Sequence, residues 1–180
     1  MRNNNSKYIS IFGSYKPTPS DEEYQVAYKT AFALAKKGYI IKNGGGNGIM
    51  EASTFGARDA GGESIGYILK ELYKVAPSLQ ENINNEVVEC SSLFDRLKLL
   101  IEGSSAFILF SGGTGTLAEL ALTWELMNKK LIKELPIICY KKQWKPIIDI
   151  FKKHSSFVKE GSVELIKFAN SIEEIVSLIK

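Results

Sequence analysis

The sequence has few of the residues that build metal centres and disulfides. It contains 2 cysteines and 1 histidine among its 180 residues, and these are not clustered with acidic residues at the spacing of metal ligands. Cys90 and Cys139 lie far apart in apolar surroundings, a pattern typical of reduced thiols in a cytosolic protein. We therefore expect no metal, no other cofactor and no disulfide.

The sequence also has no pattern typical of a signal peptide, a membrane span or a nucleic-acid-binding element. It begins with MRNNNSKY, which is polar, and no apolar run is long enough to cross a bilayer. The 23 basic and 20 acidic side chains are mixed along the chain, and the lysines are not interleaved with aromatic residues. These features predict a soluble cytoplasmic protein that binds neither membranes nor nucleic acid.

Two common nucleotide-binding motifs are missing. The first strand-helix turn reads GSYKPTP from Gly13, which does not match the GxGxxG of dinucleotide-binding proteins. No glycine loop ends in the GK[ST] of a Walker A sequence. Classical NAD binding and nucleoside triphosphate hydrolysis are therefore not expected.

Short apolar runs alternate with amphipathic segments along the whole chain. Near-continuous apolar strands are typical of a parallel sheet that is buried on both faces. A capping box, S-D-E-E from Ser20 to Glu23, is predicted to open the first helix, and segment 70–85 has no clear periodicity and is predicted to be a loop or lid. We expect a single domain over residues 1–180 with an α/β, three-layer Rossmann-like fold, a mostly parallel sheet and helices on both faces. The predicted strands begin at Lys7, Tyr39, Glu63, Glu86, Ala106 and Pro136.

Two glycine-rich loops follow predicted strands. NGGGNG contains Gly44, Gly45 and Gly46, and SGGTGT runs from Ser111 to Thr116. Glycines at such positions free backbone N–H groups at the start of a helix for a phosphate, although they also serve tight turns and close helix packing. Because both loops are predicted at the carboxyl ends of parallel strands, they favour a shared ligand crevice.

Glu119 follows the second loop and has two interpretations. Thr116 and Glu119 have the spacing of a capping box, which would explain both residues structurally. Alternatively, a carboxylate near a bound phosphate is costly unless it serves the ligand. Cleavage of an N-glycosidic bond supplies such a role, because a carboxylate stabilises the oxocarbenium-like transition state and orients a water.

The segment SGGTGTLAE resembles the PGGxGTxxE signature of the lonely-guy (LOG) family, which comprises cytokinin riboside 5′-monophosphate phosphoribohydrolases. FGS near the start, GGGNGIMEA and GARDAGGESIG agree in order. The resemblance implies that Arg96 and Glu119 are catalytic and that the glycine-threonine loop holds the 5′-phosphate. It also implies a homodimer with the active site near the subunit interface. The expected phosphate- or nucleotide-binding residues are Gly13, Ser14, Gly44, Gly45, Gly46, Gly112, Gly113, Thr114, Gly115 and Thr116.

The expected activity is hydrolysis of a nucleoside 5′-monophosphate, AMP or an N6-modified AMP, to free base and ribose 5-phosphate. The sequence departs from the family pattern at Ser111, which replaces a proline, and at Leu97, which replaces the lysine of an Arg-Lys pair; Lys98 is displaced by one position. A non-catalytic nucleotide- or cofactor-binding carrier is the alternative function. For Arg96, the alternative is a surface arginine paired with a neighbouring carboxylate.

A homodimer is also suggested by the apolar helix after the second loop. Its apolar residues exceed what one face of a sheet requires, although all of them could belong to the core. They include Leu120, Leu122, Trp124 and Met127.

Overall fold

Strands and helices alternate through the described part of the chain, which in the computed structural model comprises residues 7–69, 71, 83–141, 143–154, 156 and 161–179. The strands are β1 Lys7–Phe12, β2 Tyr39–Asn43, β3 Ser64–Leu69, β4 Glu86–Cys90, β5 Ser104–Leu109, β6 Ile137–Tyr140 and β7 Ile166–Ala169. The helices are α1 Glu22–Lys36, α2 Ile49–Asp59, α3 Leu93–Ile101, α4 Thr114–Asn128, α5 Lys145–Lys153 and α6 Ile172–Ser177. A short 3₁₀ helix spans Val163–Leu165.

The strands form one seven-stranded sheet in the order β4-β3-β2-β1-β5-β6-β7, and every pairing is parallel. All six predicted strands are confirmed, and β7 is a further edge strand. From β1, the strands β2, β3 and β4 follow toward one edge of the sheet, and β5, β6 and β7 follow toward the other edge. A crevice is expected at the carboxyl ends of the strands at such a switch point.

Side chains alternate between two core layers along the central strands. Ile9 and Ile108 pack on one face with α1, α2 and α6, whereas Phe12, Phe107 and Leu109 pack on the other with α3, α4 and α5. Burial of both faces explains why these strands read as near-continuous apolar runs. The predicted α/β three-layer architecture with a parallel sheet is therefore confirmed.

Both predicted capping boxes are wrong. Helix α1 begins at Glu22 after Asp21, and Glu23 accepts a hydrogen bond from the backbone N–H of Ser111 rather than from its own helix. Helix α4 begins at Thr114, because Gly113 adopts an extended conformation that serves as its N-cap. Thr116 and Glu119 therefore lie within the helix, where no side-chain cap bond forms.

Helix α4 contributes most of its large apolar side chains to the core. Leu120, Trp124 and Met127 are buried and Leu122 is half-buried, so the apolar excess that suggested a dimer is mainly core. No helix within the described ranges is long and apolar enough to cross a membrane. The predicted loop or lid over 70–85 lies outside the described residues except for residues 71 and 83–85.

Candidate functional site

A cavity of about 950 Å³ opens at the carboxyl edge of the sheet, beside the ends of the neighbouring strands β1 and β5. Segment 13–17 after β1 and the start of α1 form one wall, and segment 111–116 after β5 forms the other. The remaining lining side chains are Met50, Arg96, Glu119, Lys141 and Gln143. The cavity thus brings together Gly13, Ser14, the second glycine loop and both predicted catalytic residues.

The first glycine loop lies at the same edge of the sheet but does not line this cavity. The Gly44 carbonyl instead accepts a hydrogen bond from Nη2 of Arg96 at 3.0 Å, and the Tyr67 carbonyl accepts one from Nε at 2.7 Å. A Cβ atom at Gly44 would overlap Nη2 of Arg96. Gly44 therefore positions Arg96, and none of the three predicted binding residues Gly44, Gly45 and Gly46 lines the cavity.

The first loop also supports the turn after β1. Gly48 has a φ of +67°, and its position would place a Cβ against the backbone of Ser14 and Tyr15. The N–H of Ile49, at the start of α2, donates to the Ser14 carbonyl at 3.0 Å. This close approach needs glycine, because a side chain at Gly48 would meet both the steric penalty of positive φ and the neighbouring backbone.

The second glycine loop presents free donors to the cavity. Among the described residues, none accepts a hydrogen bond from the backbone N–H groups of Gly113, Thr114, Gly115 or Thr116. These groups form the N-terminus of α4, where unpaired N–H groups and the helix dipole favour an anion. A Cβ at Gly112 would overlap the Thr116 side chain, so close packing requires glycine at that position.

The second loop is held from both sides by contacts that span the fold. The indole Nε1 of Trp144 donates to the Phe110 carbonyl at 3.0 Å, and Ser14 N–H donates to the Ser111 carbonyl at 2.8 Å. Gln143 accepts from Gly112 N–H through Oε1 and donates to the Gly112 carbonyl through Nε2, both at 2.9 Å. No sequence motif had marked Gln143 or Trp144, since neither contact has a local pattern.

Glu119 lies beneath this loop, 8% exposed, on the wall of the cavity. No hydrogen bond to its carboxyl group is found among the described residues. Burial raises the pKa of Glu119 to about 7, while the positive charge of Arg96 acts in the opposite direction. A carboxyl group with a pKa near neutral and no hydrogen-bond partner among the described residues is suited to proton transfer or to stabilising positive charge on a ligand.

The surface-pair alternative for Arg96 is not what the structure shows. Within the described ranges, its guanidinium group donates to two backbone carbonyls, and Asp95 accepts hydrogen bonds from Ser91. Leu97 is buried and Lys98 is exposed. The cation that follows the arginine in the family pattern is thus absent from the described cavity lining, whereas Arg96 lines the cavity together with Glu119.

The rim of the cavity carries both signs of charge. Lys141, with a φ of +57°, forms an ion pair with Glu22 at 2.9 Å. Asp21 accepts hydrogen bonds from the backbone N–H and the hydroxyl of Thr18. No group of His, Cys, Asp and Glu side chains that could hold a metal ion occurs within the part of the chain that the structure describes.

A model of the SLOG cluster4 family matches residues 6–169. A cytokinin riboside 5′-monophosphate phosphoribohydrolase from Mycobacterium tuberculosis is 31% identical over 117 residues, which cover 64% of this chain and 61% of that protein. The chain spans about three-fifths of the length of the curated relatives it matches. These matches confirm the resemblance to the lonely-guy family.

Solved structures similar to the chain cover nearly all of it. The molybdenum cofactor binding protein from Rippkaea orientalis has a TM-score of 0.74 at 22% identity, covering 98% of this chain and 97% of that one. The molybdenum cofactor carrier protein from Chlamydomonas reinhardtii has a TM-score of 0.68 at 20% identity, covering 96% and 98%. At such identities the likeness shows the Rossmann-like fold alone.

Proposed function

The chain belongs to the SLOG cluster4 family, and from this premise we propose that it is a nucleoside 5′-monophosphate phosphoribohydrolase. The observation that carries the proposal is a single cavity that contains both unpaired helix N–H groups and Glu119. An anion site and a buried carboxyl group so close together suit a ligand that is negative at one end. Its other end must become positive during the reaction.

A nucleoside monophosphate has these properties. Its 5′-phosphate accepts hydrogen bonds from the N–H groups at Gly113 to Thr116 and from the Thr116 hydroxyl. Cleavage of the bond between C1′ and the base nitrogen leaves positive charge on the ribose, which the Glu119 carboxylate stabilises. A water oxygen bonds to C1′, the C1′–N electron pair stays with the base, and one proton of that water ends on the base. The products are free base and ribose 5-phosphate.

Arg96 is proposed to complete the site from the side opposite the glycine loop. Two backbone carbonyls fix its guanidinium group, so little of its conformational freedom is lost when a ligand binds. Its charge also favours the ionised form of Glu119. We propose that Arg96 contacts the ligand and also favours the ionised Glu119 carboxylate. It would then contribute to turnover as well as to binding.

The direct test is a screen of purified protein for release of free base. AMP, N6-modified AMP and the pyrimidine monophosphates are incubated with the protein, and free bases are separated by chromatography. We expect base and ribose 5-phosphate in equal amounts from at least one nucleotide, with AMP or N6-modified AMP preferred. Base release from none of them would contradict the proposed reaction.

A carrier that binds a phosphate-bearing nucleotide or cofactor without cleaving it is a second candidate. Two observations favour it: the molybdenum cofactor-binding proteins with the same fold, and the buried leucine at position 97, where the family pattern has a lysine. A carrier would bind nucleotides with the same dependence on phosphate but release no base. Equilibrium binding measured beside the base-release screen distinguishes the two functions.

The protein is further proposed to act as a homodimer. Leu93, Phe94 and Leu117 are exposed by 52%, 83% and 38%, and they belong to α3 and α4, the helices that carry Arg96 and Glu119. A second copy covering these side chains would bring the interface close to the cavity. Sedimentation at micromolar concentration should give a dimer, and Phe94→Asp should shift it to monomer; a monomeric wild-type protein would contradict this assembly.

A further inference from the structure

Glu23, in the first turn of α1, contributes a carboxylate to the cavity wall and binds the second glycine loop directly. Its Oε1 atom accepts a hydrogen bond from the Ser111 N–H at 2.6 Å. A bond from a backbone N–H to a charged acceptor is short and strong. This bond depends on the departure from the family signature at Ser111, because the proline of the signature has no N–H to donate.

The next N–H of the loop is occupied as well. Gly112 N–H donates to Gln143 at 2.9 Å. The loop therefore has two parts: the N–H groups of Ser111 and Gly112 are already bonded, whereas those from Gly113 to Thr116 have no acceptor among the described residues. Only the second part can bind a ligand without breaking a bond within the protein.

This division limits the charge that the loop can accommodate. The open N–H groups at the start of α4 suit one phosphoryl group. A second phosphoryl group beside it would find the N–H groups of Ser111 and Gly112 already used and the Glu23 carboxylate next to them, so it would meet repulsion at this part of the loop. Of the cations Lys16, Arg96 and Lys141 that line the cavity, Arg96 is held by two backbone carbonyls and Lys141 is paired with Glu22.

We propose that Glu23 is a specificity-determining residue that restricts the second glycine loop to a single phosphoryl group. Monophosphate esters are then accepted, and diphosphates and dinucleotides are rejected. The inference rests on the proposed function, because it takes the loop as the phosphate site. The almost fully buried Glu119 carboxyl group, which faces the same cavity and has no hydrogen-bond partner among the described residues, is a separate indication that a ligand binds there.

The test uses two anions without a base, so that the unknown base preference does not enter. Dissociation constants of inorganic phosphate and pyrophosphate are measured by titration calorimetry in EDTA, which prevents a divalent cation from bridging pyrophosphate and a carboxylate. A site without discrimination binds the more highly charged pyrophosphate more tightly. We expect the reverse in the wild-type protein, with pyrophosphate weaker by about tenfold or more.

Glu23→Gln keeps an oxygen that can accept from Ser111 N–H and removes only the charge. This variant should lower the ratio of the pyrophosphate to the phosphate dissociation constant by about tenfold. Asp21→Asn is the matched control, since Asp21 lines the same cavity but bonds Thr18 rather than the loop. This control should leave the ratio of the two constants within about twofold.

The outcomes separate this inference from the proposed function. Wild-type protein that binds pyrophosphate at least as tightly as phosphate would overturn the role of Glu23 while leaving the phosphate site intact. An equal change in Asp21→Asn and Glu23→Gln would also overturn it, because the effect would then come from general charge. If neither anion binds the wild-type protein, the loop is not a phosphate site. That result would contradict both the proposed function and this inference.

Discussion

The two glycine loops look alike in sequence but do different work in the structure. NGGGNG and SGGTGT each follow a strand of the same sheet and end in a helix. The first turns its Gly44 carbonyl to Arg96, whereas the second leaves the N–H groups at the start of α4 open to the cavity. One loop therefore positions a side chain, and the other is the loop that we propose binds the phosphate of a ligand.

The difference follows from what surrounds each glycine. At Gly44 and Gly48 an added Cβ would meet the Arg96 guanidinium group or the backbone after β1, so the first loop is closed by packing. At Gly113 and Gly115 an added Cβ would meet nothing within 4 Å. A glycine-rich loop thus indicates that another group approaches the backbone closely. Only the surrounding structure tells whether that group belongs to the protein or to a ligand.

Among changes to the two glycine loops, the largest effect is expected from Gly44→Ala, which would displace the guanidinium group of Arg96. The added methyl group overlaps Nη2 and forces the guanidinium group to move. Misplacing a charged group in this way should lower base release by about a hundredfold. Because the open N–H groups of the second loop are unchanged, affinity for inorganic phosphate should stay within about threefold. Base-release kinetics beside phosphate titration check this, and a parallel fall in phosphate affinity would show that the first loop or Arg96 also binds the anion.

A second prediction concerns the pH dependence of stability. The folded-state pKa of Glu119 is about 7, above its ordinary value of 4.5, so the native state binds this proton more tightly than the unfolded state. Its contribution to stability is then fully present below about pH 4.5 and is lost as the pH rises through 7. The free energy of unfolding of Glu119→Gln, taken relative to that of wild type, should therefore rise by about 2 kcal/mol as the pH increases from 5 to 8.

Chemical denaturation of both proteins at several pH values measures this difference. Glu125→Gln is the control, because Glu125 is exposed on the same helix and pairs with Lys129. It should show no such trend. Parallel stability curves for wild type and Glu119→Gln would mean that Glu119 titrates like a solvated carboxylate.

The smallest of these effects is expected at Gly112. A Cβ there overlaps Thr116, so Gly112→Ala should distort the second loop and weaken phosphate binding by about tenfold. Ser111→Ala is the matched control, because it keeps the backbone bonds to Glu23 and Ser14. Calorimetric titration of both variants tests this. Equal affinities in Gly112→Ala and wild type would place the anion elsewhere in the cavity.

The parts of the fold that could be predicted from sequence are those with local patterns. The buried strands have near-continuous apolar runs, and these runs were enough to predict where the strands lie and that they share a parallel sheet. Strand β7 was harder to recognise, because Lys167 interrupts its apolar residues at the edge of the sheet. The prediction of a dimer from Leu120, Trp124 and Met127 did not account for how much of α4 the core absorbs.

The site was predictable only where a motif carried it. Arg96 and Glu119 came from the family resemblance, and the cavity brings them together. Glu23 was assigned to a local capping box, but its carboxylate bonds Ser111, 88 residues away. Gln143 reaches Gly112 across 31 residues without any sequence signal. Long-range hydrogen bonds of this kind compete with local capping bonds for the same side chain, and a short sequence pattern does not show which of the two forms.

The most direct test of the account is base release by Glu119→Gln on a nucleotide that the wild-type protein cleaves. The glutamine keeps the size of the side chain and loses its charge, so turnover should fall by about a hundredfold or more. Affinity for the nucleotide should be retained, because the open N–H groups of the second loop are unchanged. A folded variant with full nucleotide affinity and wild-type turnover would contradict the catalytic role of Glu119.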